Sequence, residues 1–188
     1  MAHLKQQIYC SKIKSQFPEM FTNKKVLDIG SLDINGNNRY LFENCEYTGI
    51  DVAEGKNVDI IAIGHEFNAP DNIYDFVIST EVFEHDMFWK KTLLNITRVL
   101  KPGGMFMFTC GGPNRPEHGT RKSDGSYAAP LLLQISEEWS DYYGNISKED
   151  ITNFTEFISQ YKIYEIEYGD DQDTGTPLWD LYFYGIKK

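Results

Sequence analysis

The chain has 188 residues, a net charge of -10, and 41% hydrophobic and 14% aromatic residues, which is the composition of a globular protein. This length supports one full-sized core, whereas two domains would each be small, so we predict a single domain over residues 1–188. The acidic balance argues against a nucleic-acid partner, because such binding relies on Lys and Arg, and no segment is apolar and long enough for membrane insertion.

The first residues and the cysteines bear on the location of the protein. Positions 1–17, MAHLKQQIYCSKIKSQF, contain no apolar stretch of the secretory type, so we expect the chain to reside in the cytoplasm. Cys10, Cys45 and Cys110 are odd in number and far apart, which favours reduced thiols. They also lack the spacing of metal ligands, and no metal is predicted.

Strand-length apolar runs alternate with helical patterns along the chain. An N-terminal helix within residues 1–22 is expected first, with Leu4, Ile8 and Phe17 on its apolar side. The predicted strands are KVLDIG (25–30), YTGIDV (47–52), DIIAI (59–63), DFVIST (75–80), GMFMFTC (104–110), YKIYEIEYG (161–169) and LYFYGI (181–186). This alternation predicts a parallel sheet with helices on both faces.

Two internal helices are predicted from apolar residues at three- and four-residue steps. The first begins after Asp86, its expected cap, and ends at KPGG; its apolar stripe is Trp89, Leu93, Ile96 and Leu100. The second begins at a capping box of Ser147 and Asp150. Its apolar face comprises Ile151, Phe154, Ile158 and Tyr161.

The last two predicted strands differ from the others in their connection. Only GDDQDTGTP and a short lead-in separate them, which is too little for a crossover helix, so they should be antiparallel. The predicted fold class is therefore α/β, with a Rossmann-like, seven-stranded, mostly parallel sheet that ends in an antiparallel hairpin.

The turn after the first strand, within VLDIGSLDINGN (26–37), is the first candidate for a ligand site. Open parallel sheets bind ligands beyond the carboxyl ends of their strands, where strand order reverses, and Gly30 stands at such an end. Asp51 ends the next strand 21 positions later, which is the distance for an acidic side chain that accepts hydrogen bonds from ribose hydroxyls. The pattern predicts a ribose-bearing cofactor.

The residues around this turn favour one kind of cofactor. A dinucleotide site needs G-x-G-x-x-G, but Leu32 and Asn35 occupy the second and third glycine positions. Asp28 and Asp33 would repel phosphates and attract an ammonium or sulfonium group. S-adenosyl-L-methionine carries both cations and is therefore the predicted cofactor.

Four stretches together resemble a known family. VLDIGSLDINGN, YTGIDV, YDFVISTEVFEH and LKPGGMFMFTC are similar, in order and spacing, to the motifs of class I S-adenosylmethionine-dependent methyltransferases, particularly the type 11 group. The resemblance covers residues 24 to 112 and implies the family's fold. The usual second and third glycines of the first motif are absent, so the path of the Leu32–Gly36 loop is not specified by it.

The resemblance also implies roles for individual residues. Those expected around the cofactor are Gly30, Ser31 and Asp28 at the methionine part, Asp51 at the ribose, Val52, Gly64, His65 and Glu66 at the adenine, and Thr80 and Glu81 beneath the sulfonium. His85 is a catalytic candidate. Each has an alternative: Asp28 and Asp51 as turn-forming carboxylates, His65 and Glu66 as solvated residues, Glu81 as a structural group, and His85 as a packing residue.

A long segment, about 111–146, follows the fifth strand and is rich in turn residues. Loops of this length in compact domains are commonly functional, and we predict that it covers the substrate. His118 is a candidate general base, and Arg115 and Arg121 are candidates to hold an anionic acceptor. Tyr142 and Tyr143 would line the acceptor pocket; for all five residues, a purely surface or packing role is the alternative.

These observations predict methyl transfer from S-adenosyl-L-methionine to an oxygen or nitrogen of a small-molecule or glycan-type acceptor, with S-adenosyl-L-homocysteine as the product. One alternative is a non-catalytic module that binds S-adenosylmethionine. Another is an NAD-dependent oxidoreductase, against which the missing pyrophosphate glycines count. The sequence does not specify the acceptor or the oligomeric state.

Overall fold

The computed structural model describes residues 3–124 and 135–188. The seven strands found there are β1 (Lys25–Ile29), β2 (Glu46–Asp51), β3 (Ile60–Ile61), β4 (Tyr74–Thr80), β5 (Leu100–Gly111), β6 (Tyr161–Gly169) and β7 (Asp180–Lys187). They form one sheet in the order β3-β2-β1-β4-β5-β7-β6. Each predicted strand is present, although β3 is shorter than its apolar run.

The direction of the strands confirms the predicted fold class. β1 pairs in parallel with β2, where Val26 lies opposite Tyr47, and with β4, where Val26 lies opposite Phe76. β7 is antiparallel to both β5 and β6. Strand order therefore reverses at β1, because the chain adds β2 and β3 on one side of it and β4 on the other.

Six α-helices lie in the described part of the chain: α1 (Leu4–Gln16), α2 (Trp89–Val99), α3 (Arg121–Asp124), α4 (Glu137–Ser140), α5 (Lys148–Thr152) and α6 (Thr155–Ile158). Short 3₁₀ helices occupy Pro18–Phe21 and Arg39–Leu41. None of the helices described has the length and apolar character that a bilayer crossing requires. Residues 1–2 of the predicted N-terminal helix and 125–134 of the predicted insertion lie outside the described residues.

The helices correct three details of the prediction. α1 buries Gln6, Tyr9, Cys10 and Ile13, whereas Leu4 and Ile8 are 58% and 53% exposed, so the predicted apolar side was wrong for these two residues. Phe17, just after α1, does pack against the core. Phe88, not Asp86, is the N-cap residue of α2; the Asp86 carboxylate accepts from the Phe88 amide at 2.8 Å.

The second internal helix is interrupted. α5 begins at the predicted Ser147–Asp150 capping box, but the helix is interrupted at Asn153 and Phe154 before α6 begins. Tyr161 already belongs to β6. Of the four predicted apolar residues, Ile151 and Tyr161 are nevertheless buried, and Phe154 and Ile158 pack against the same cluster. The apolar spacing therefore identified core positions across a helix break.

Alternate residues of each central strand enter different apolar clusters, as the two-residue period of a strand requires. Leu27, Val77 and Phe106 pack on the face that α2, α5 and α6 cover. Val26 and Phe76 pack on the opposite face, with Ile13 of α1. Both faces are thus occupied, and the carboxyl ends of β1, β2 and β4 remain as the edge at which a ligand can enter.

The capping box gives a direct test of this part of the fold. Replacement Ser147→Ala removes the hydroxyl that accepts from the Asp150 amide, and we expect a loss of about 1 kcal/mol in the free energy of unfolding. Urea unfolding followed by circular dichroism measures it. Ser159→Ala, at an exposed serine after α6, is the control and should unfold like the wild type; equal loss in both variants would contradict the assignment.

Candidate functional site

A cleft opens at the carboxyl ends of β1, β2 and β4, where strand order reverses. It encloses about 980 Å³, including open solvent at its mouth, and small-molecule sites commonly span about 300–1,000 Å³. The predicted residues that line it are Asp28, Gly30, Ser31, Asp51, Val52, Gly64, Thr80, Glu81 and His85. The structure therefore brings most of the predicted site residues together.

The chain turns sharply at Gly30 as it leaves β1. Gly30 has a φ of 77°, and a Cβ atom built there would lie 2.0 Å from the Val82 side chain. The Gly30 and Ser31 amides both donate to the Ile50 carbonyl, at 2.9 and 3.0 Å. Glycine is required here for both the dihedral angle and the close approach.

The loop that follows is tied to the segment after β2. Ser31 Oγ donates to the Asn57 carbonyl at 3.1 Å, and Asn57 Nδ2 donates to the Ser31 carbonyl at 2.9 Å. Asp33 accepts from the Gly36 amide at 2.8 Å and pairs with Lys56 at 2.7 Å. Asp33 thus makes its bonds within the loop and to Lys56, and it does not line the cleft. The structure therefore does not support the predicted attraction of Asp33 for a cationic ligand.

Asp28 is a buried carboxyl group on the wall of the cleft. Its Oδ2 accepts from the Tyr47 hydroxyl at 2.6 Å, but Oδ1 has no hydrogen-bond partner among the described residues. Burial raises the pKa of Asp28 to about 7, and the Asp51 charge adds to this, although the Tyr47 hydrogen bond opposes it. An incoming cation would stabilise the charged form.

Asp51 forms the local contacts that a turn-forming carboxylate makes. It accepts from the Leu32 amide at 3.0 Å and from the Val52 amide at 2.8 Å. Burial raises its pKa, against the effect of these two amides. Each carboxylate oxygen has a second lone pair, so the group can still accept a hydrogen bond from a hydroxyl in the cleft.

The turn after β3 contributes only part of the predicted adenine edge. Ile63 and Gly64 line the cleft, whereas His65 and Glu66 do not. The His65 ring packs on Phe88, with centroids 4.8 Å apart, and the Glu66 side chain is 68% exposed. The turn therefore directs these two side chains away from the cleft.

Glu81, directly after β4, has a strained backbone. Its φ is 59°, a conformation that costs residues other than glycine about 1–3 kcal/mol. The Glu81 amide donates to the Thr109 carbonyl at 2.8 Å, and its buried carboxylate accepts from the Thr109 hydroxyl at 2.8 Å and from Arg115. Burial would raise the pKa of Glu81, but His3 and Arg115 hold it well below its ordinary value.

Both predicted anion-binding arginines are paired with carboxylates. The Arg115 side chain is 11% exposed and bonds Glu81 and Asp180, the latter at 2.6 Å. Arg121 donates two hydrogen bonds to Asp141, at 2.9 and 2.6 Å. Since internal carboxylates already neutralise both cations, the structure does not support the predicted cationic patch for an anionic acceptor.

Two histidines and a tyrosine form an aromatic cluster beside the cleft. His85 lines the cleft, and its ring centroid lies 5.0 Å from that of His118 and 5.5 Å from that of Tyr143. Burial, reinforced by His118, lowers the pKa of His85 to about 3, and burial also lowers that of His118. Both imidazoles are neutral at pH 7. His118, Tyr142 and Tyr143 do not line the cleft.

Sequence reasoning missed three residues of this region. Trp139 lines the cleft and donates from Nε1 to the His85 carbonyl at 2.7 Å. Asn38 lines it too and donates to the Thr80 hydroxyl at 3.0 Å. Glu84 is fully buried behind His85. The only signal was an isolated Trp in a polar segment and a second Glu within TEVFEH.

A family model described as a methyltransferase domain matches residues 1–136. No curated protein matches the chain in sequence. Several hundred solved structures are similar to it.

Three of these structures illustrate the likeness. Phosphoethanolamine N-methyltransferase 2 of Haemonchus contortus, in complex with S-adenosyl-L-methionine, is 18% identical with a TM-score of 0.64, over 96% of this chain and 52% of that one. YcgJ of Bacillus subtilis is 14% identical, TM-score 0.61, over 96% and 99%. The 1,6-didemethyltoxoflavin-N1-methyltransferase of Burkholderia thailandensis, with bound S-adenosylhomocysteine, is 11% identical, TM-score 0.63, over 100% and 92%.

The chain thus spans about half of the Haemonchus contortus protein, 52% of its length. At these identities the likeness concerns the fold, and it confirms the class I methyltransferase fold that the sequence predicted.

The two arginines should differ strongly in their effect on stability. Arg115→Ala leaves Glu81 and Asp180 buried without their cation, and breaking a buried pair costs about 3–5 kcal/mol. Arg121→Ala removes an exposed, solvent-screened pair and should cost far less. Urea unfolding of both variants measures the contrast. Similar losses would show that the Arg115 network is not a buried structural element.

Proposed function

The chain belongs to the family of methyltransferase domains, and we propose that it transfers the methyl group of S-adenosyl-L-methionine to an oxygen or nitrogen of a small-molecule or glycan-type acceptor. The observation that carries the donor assignment is the charge of the cleft. Asp28, Asp51 and Asp86 line it, together with Glu81, whose charge Arg115 compensates, and no lysine or arginine is among its described lining residues. Such a wall suits a cationic nucleoside and repels a pyrophosphate.

The residues present fit this cofactor. The unpartnered Oδ1 of Asp28 is available to a cation, and Gly30 and Ser31 of the turn line the cleft beside it. Asp51 retains acceptor capacity for ribose hydroxyls, and Val52, Ile63 and Gly64 give an apolar wall for a purine. When bound, the sulfonium supplies an activated methyl group.

The protein's own contribution is then the alignment of acceptor and donor. Holding two reactants in the correct geometry can remove about 7–11 kcal/mol of a barrier. Hydrogen bonds from Thr109 and Arg115 keep the Glu81 side chain in one position in the cleft lining. The Trp139 indole donates to the His85 carbonyl and so positions the His85 backbone. A proton-accepting role for His85 or His118 stays a prediction; of the two, His85 is the one that lines the cleft.

The names of the structural neighbours bear on the acceptor class. Two structural neighbours are named as methyltransferases of small nitrogen compounds, phosphoethanolamine and 1,6-didemethyltoxoflavin, which is consistent with a small-molecule acceptor. Because Arg115 and Arg121 are internally paired, their charge no longer favours an anionic one.

Calorimetric titration tests the donor site. We expect the protein to bind S-adenosyl-L-homocysteine and not NAD. Asp51→Asn should weaken that binding by about 10- to 100-fold, because hydrogen bonds to a charged group contribute about 1.5–3 kcal/mol. Glu54→Gln, an exposed acid three residues further on, is the matched control and should bind like the wild type. Binding of NAD, or an unaffected Asp51→Asn variant, would reject the proposal.

The raised pKa of Asp28, about 7, predicts a pH dependence of cofactor binding. Below this pKa the carboxyl group is neutral in the free protein, and above it the group is charged. Affinity for S-adenosyl-L-homocysteine, whose amino-acid ammonium group is protonated throughout this range, should therefore rise between pH 5.5 and 7.5. Calorimetry at several pH values measures this rise.

Two variants separate Asp28 from other titrating groups. Asp28→Asn should remove the pH dependence. Tyr47→Phe deletes the hydrogen bond that lowers the Asp28 pKa, so the rise should move to higher pH. An equal slope in the wild type and in Asp28→Asn would show that Asp28 does not face the ligand's cation.

A further inference from the structure

Three buried carboxylates, Glu81, Glu84 and Asp180, lie close together beside the cleft, which Glu81 also lines, and the charges around them do not balance. Arg115 bonds Glu81 and Asp180, and His3 Nε2 lies 3.3 Å from Asp180. Glu84 is also fully buried, and neither of its carboxylate oxygens has a hydrogen-bond partner among the described residues. A buried carboxylate without a partner is costly, so either a proton or a cation must compensate for it.

The position of Glu84 is fixed by the backbone around it. Its carbonyl accepts from the Gly144 amide at 2.8 Å, and the next residue, His85, donates its amide to Val82 at 2.9 Å. A Cβ atom on Gly111 would lie 3.4 Å from the Glu84 Cβ and 2.8 Å from the Tyr143 hydroxyl. Glu84 is therefore held in a tight, buried site beside the end of β5.

The groups next to Glu84 are metal ligands in character. One donor atom each of Glu84, His85 and His118 lies within 4.8 Å of the others. Each ligand of a tetrahedral zinc ion lies about 2.0–2.2 Å from the metal, so two ligand atoms are about 3.4 Å apart, and these donor atoms would have to approach one another by at most about 1.4 Å.

The remaining atoms of the histidines also suit coordination. His118 Nδ1 lies 3.1 Å from the Pro116 carbonyl, which can accept its proton and so leaves Nε2 as a lone-pair donor. His85 Nδ1 is buried and has no partner among the residues described.

We propose that Glu84, His85 and His118 bind a divalent first-row transition-metal ion beside the cleft. Two imidazoles and one carboxylate form a ligand set found with Zn²⁺, Fe²⁺ and Co²⁺, and it leaves coordination positions open. The buried Tyr143 hydroxyl, unpartnered within the described chain, lies next to this site and would meet a metal-bound water. The ion neutralises Glu84 and satisfies the unpaired atoms around it.

The second cluster of such groups, His3, Glu81 and Asp180, is not a comparable site. Arg115 already occupies the space between its carboxylates and compensates for their charge. The proposed site departs from the sequence prediction that no metal is bound, because ligands at 84, 85 and 118 have no recognisable spacing. It is independent of the proposed function, since metal binding is measured without cofactor or acceptor.

The test is a titration of the chelator-treated 188-residue protein with Co²⁺ and with Zn²⁺. We expect one equivalent to bind by calorimetry, and Co²⁺ to develop the visible absorption of a histidine-coordinated ion. Glu84→Gln and His118→Asn should each weaken binding by at least about 100-fold, since even the loss of an outer partner costs about 10–100-fold. His118 is only partly buried, so its variant tests the site even if Glu84→Gln does not fold.

Two controls separate this site from other acidic groups. His3→Asn removes the histidine of the second cluster, and Glu165→Gln removes an exposed acid on β6; both variants should bind metal like the wild type. Wild-type binding no tighter than that of Glu84→Gln or His118→Asn would overturn the proposal and leave Glu84 as a protonated carboxyl group. Loss of binding in His3→Asn alone would assign the metal to the other cluster and overturn it equally.

Discussion

Negative charge collected at the carboxyl ends of β1, β2 and β4 is the constraint on which the site depends. Asp28, Glu81 and Glu84 are buried there, and Arg115 is the cation that the described chain places among them. Burial of a carboxylate is tolerated only when a cation, a hydrogen-bond donor or a proton compensates for it. Arg115 compensates the charge of Glu81, and the Tyr47 hydroxyl donates a hydrogen bond to one oxygen of Asp28. The carboxyl group of Glu84 has neither an ion-paired cation nor a hydrogen-bond donor among the described residues.

This imbalance connects the two proposals. On the cleft side, the free Asp28 oxygen favours a ligand with a positive charge, as the methyl donor has. Behind the cleft, the unpaired Glu84 favours a metal ion. His85 lies between them, since it lines the cleft and also contacts His118 and Tyr143. A metal at this point would therefore stand next to the space in which an acceptor must approach the donor.

The fold was predictable because its signals are local. Apolar runs of strand length predicted all seven strands, and the short link between β6 and β7 predicted that these two strands are antiparallel. The lining of the cleft was predictable for the same reason, since Asp28, Gly30 and Asp51 each stand at the end of a strand. Strand ends converge in a parallel sheet whatever the tertiary detail.

Contacts between distant segments were not predictable. The pairing of Arg115 with Asp180 joins residues 65 positions apart, and no pattern in the sequence relates them. The two arginines looked like free cations only because their partners lie on other elements. Glu84 was overlooked because its surroundings come from distant residues: Gly111 packs against it, and the Gly144 amide donates to its carbonyl. Likewise, the turn after β3 places the His65 ring against Phe88 and not in the cleft.

The most direct test of the donor site is a crystal structure with S-adenosyl-L-homocysteine. We expect the ribose hydroxyls within hydrogen-bond distance of Asp51 and the adenine against Val52 and Ile63; a nucleoside bound elsewhere, or an empty cleft at saturating ligand, would contradict it.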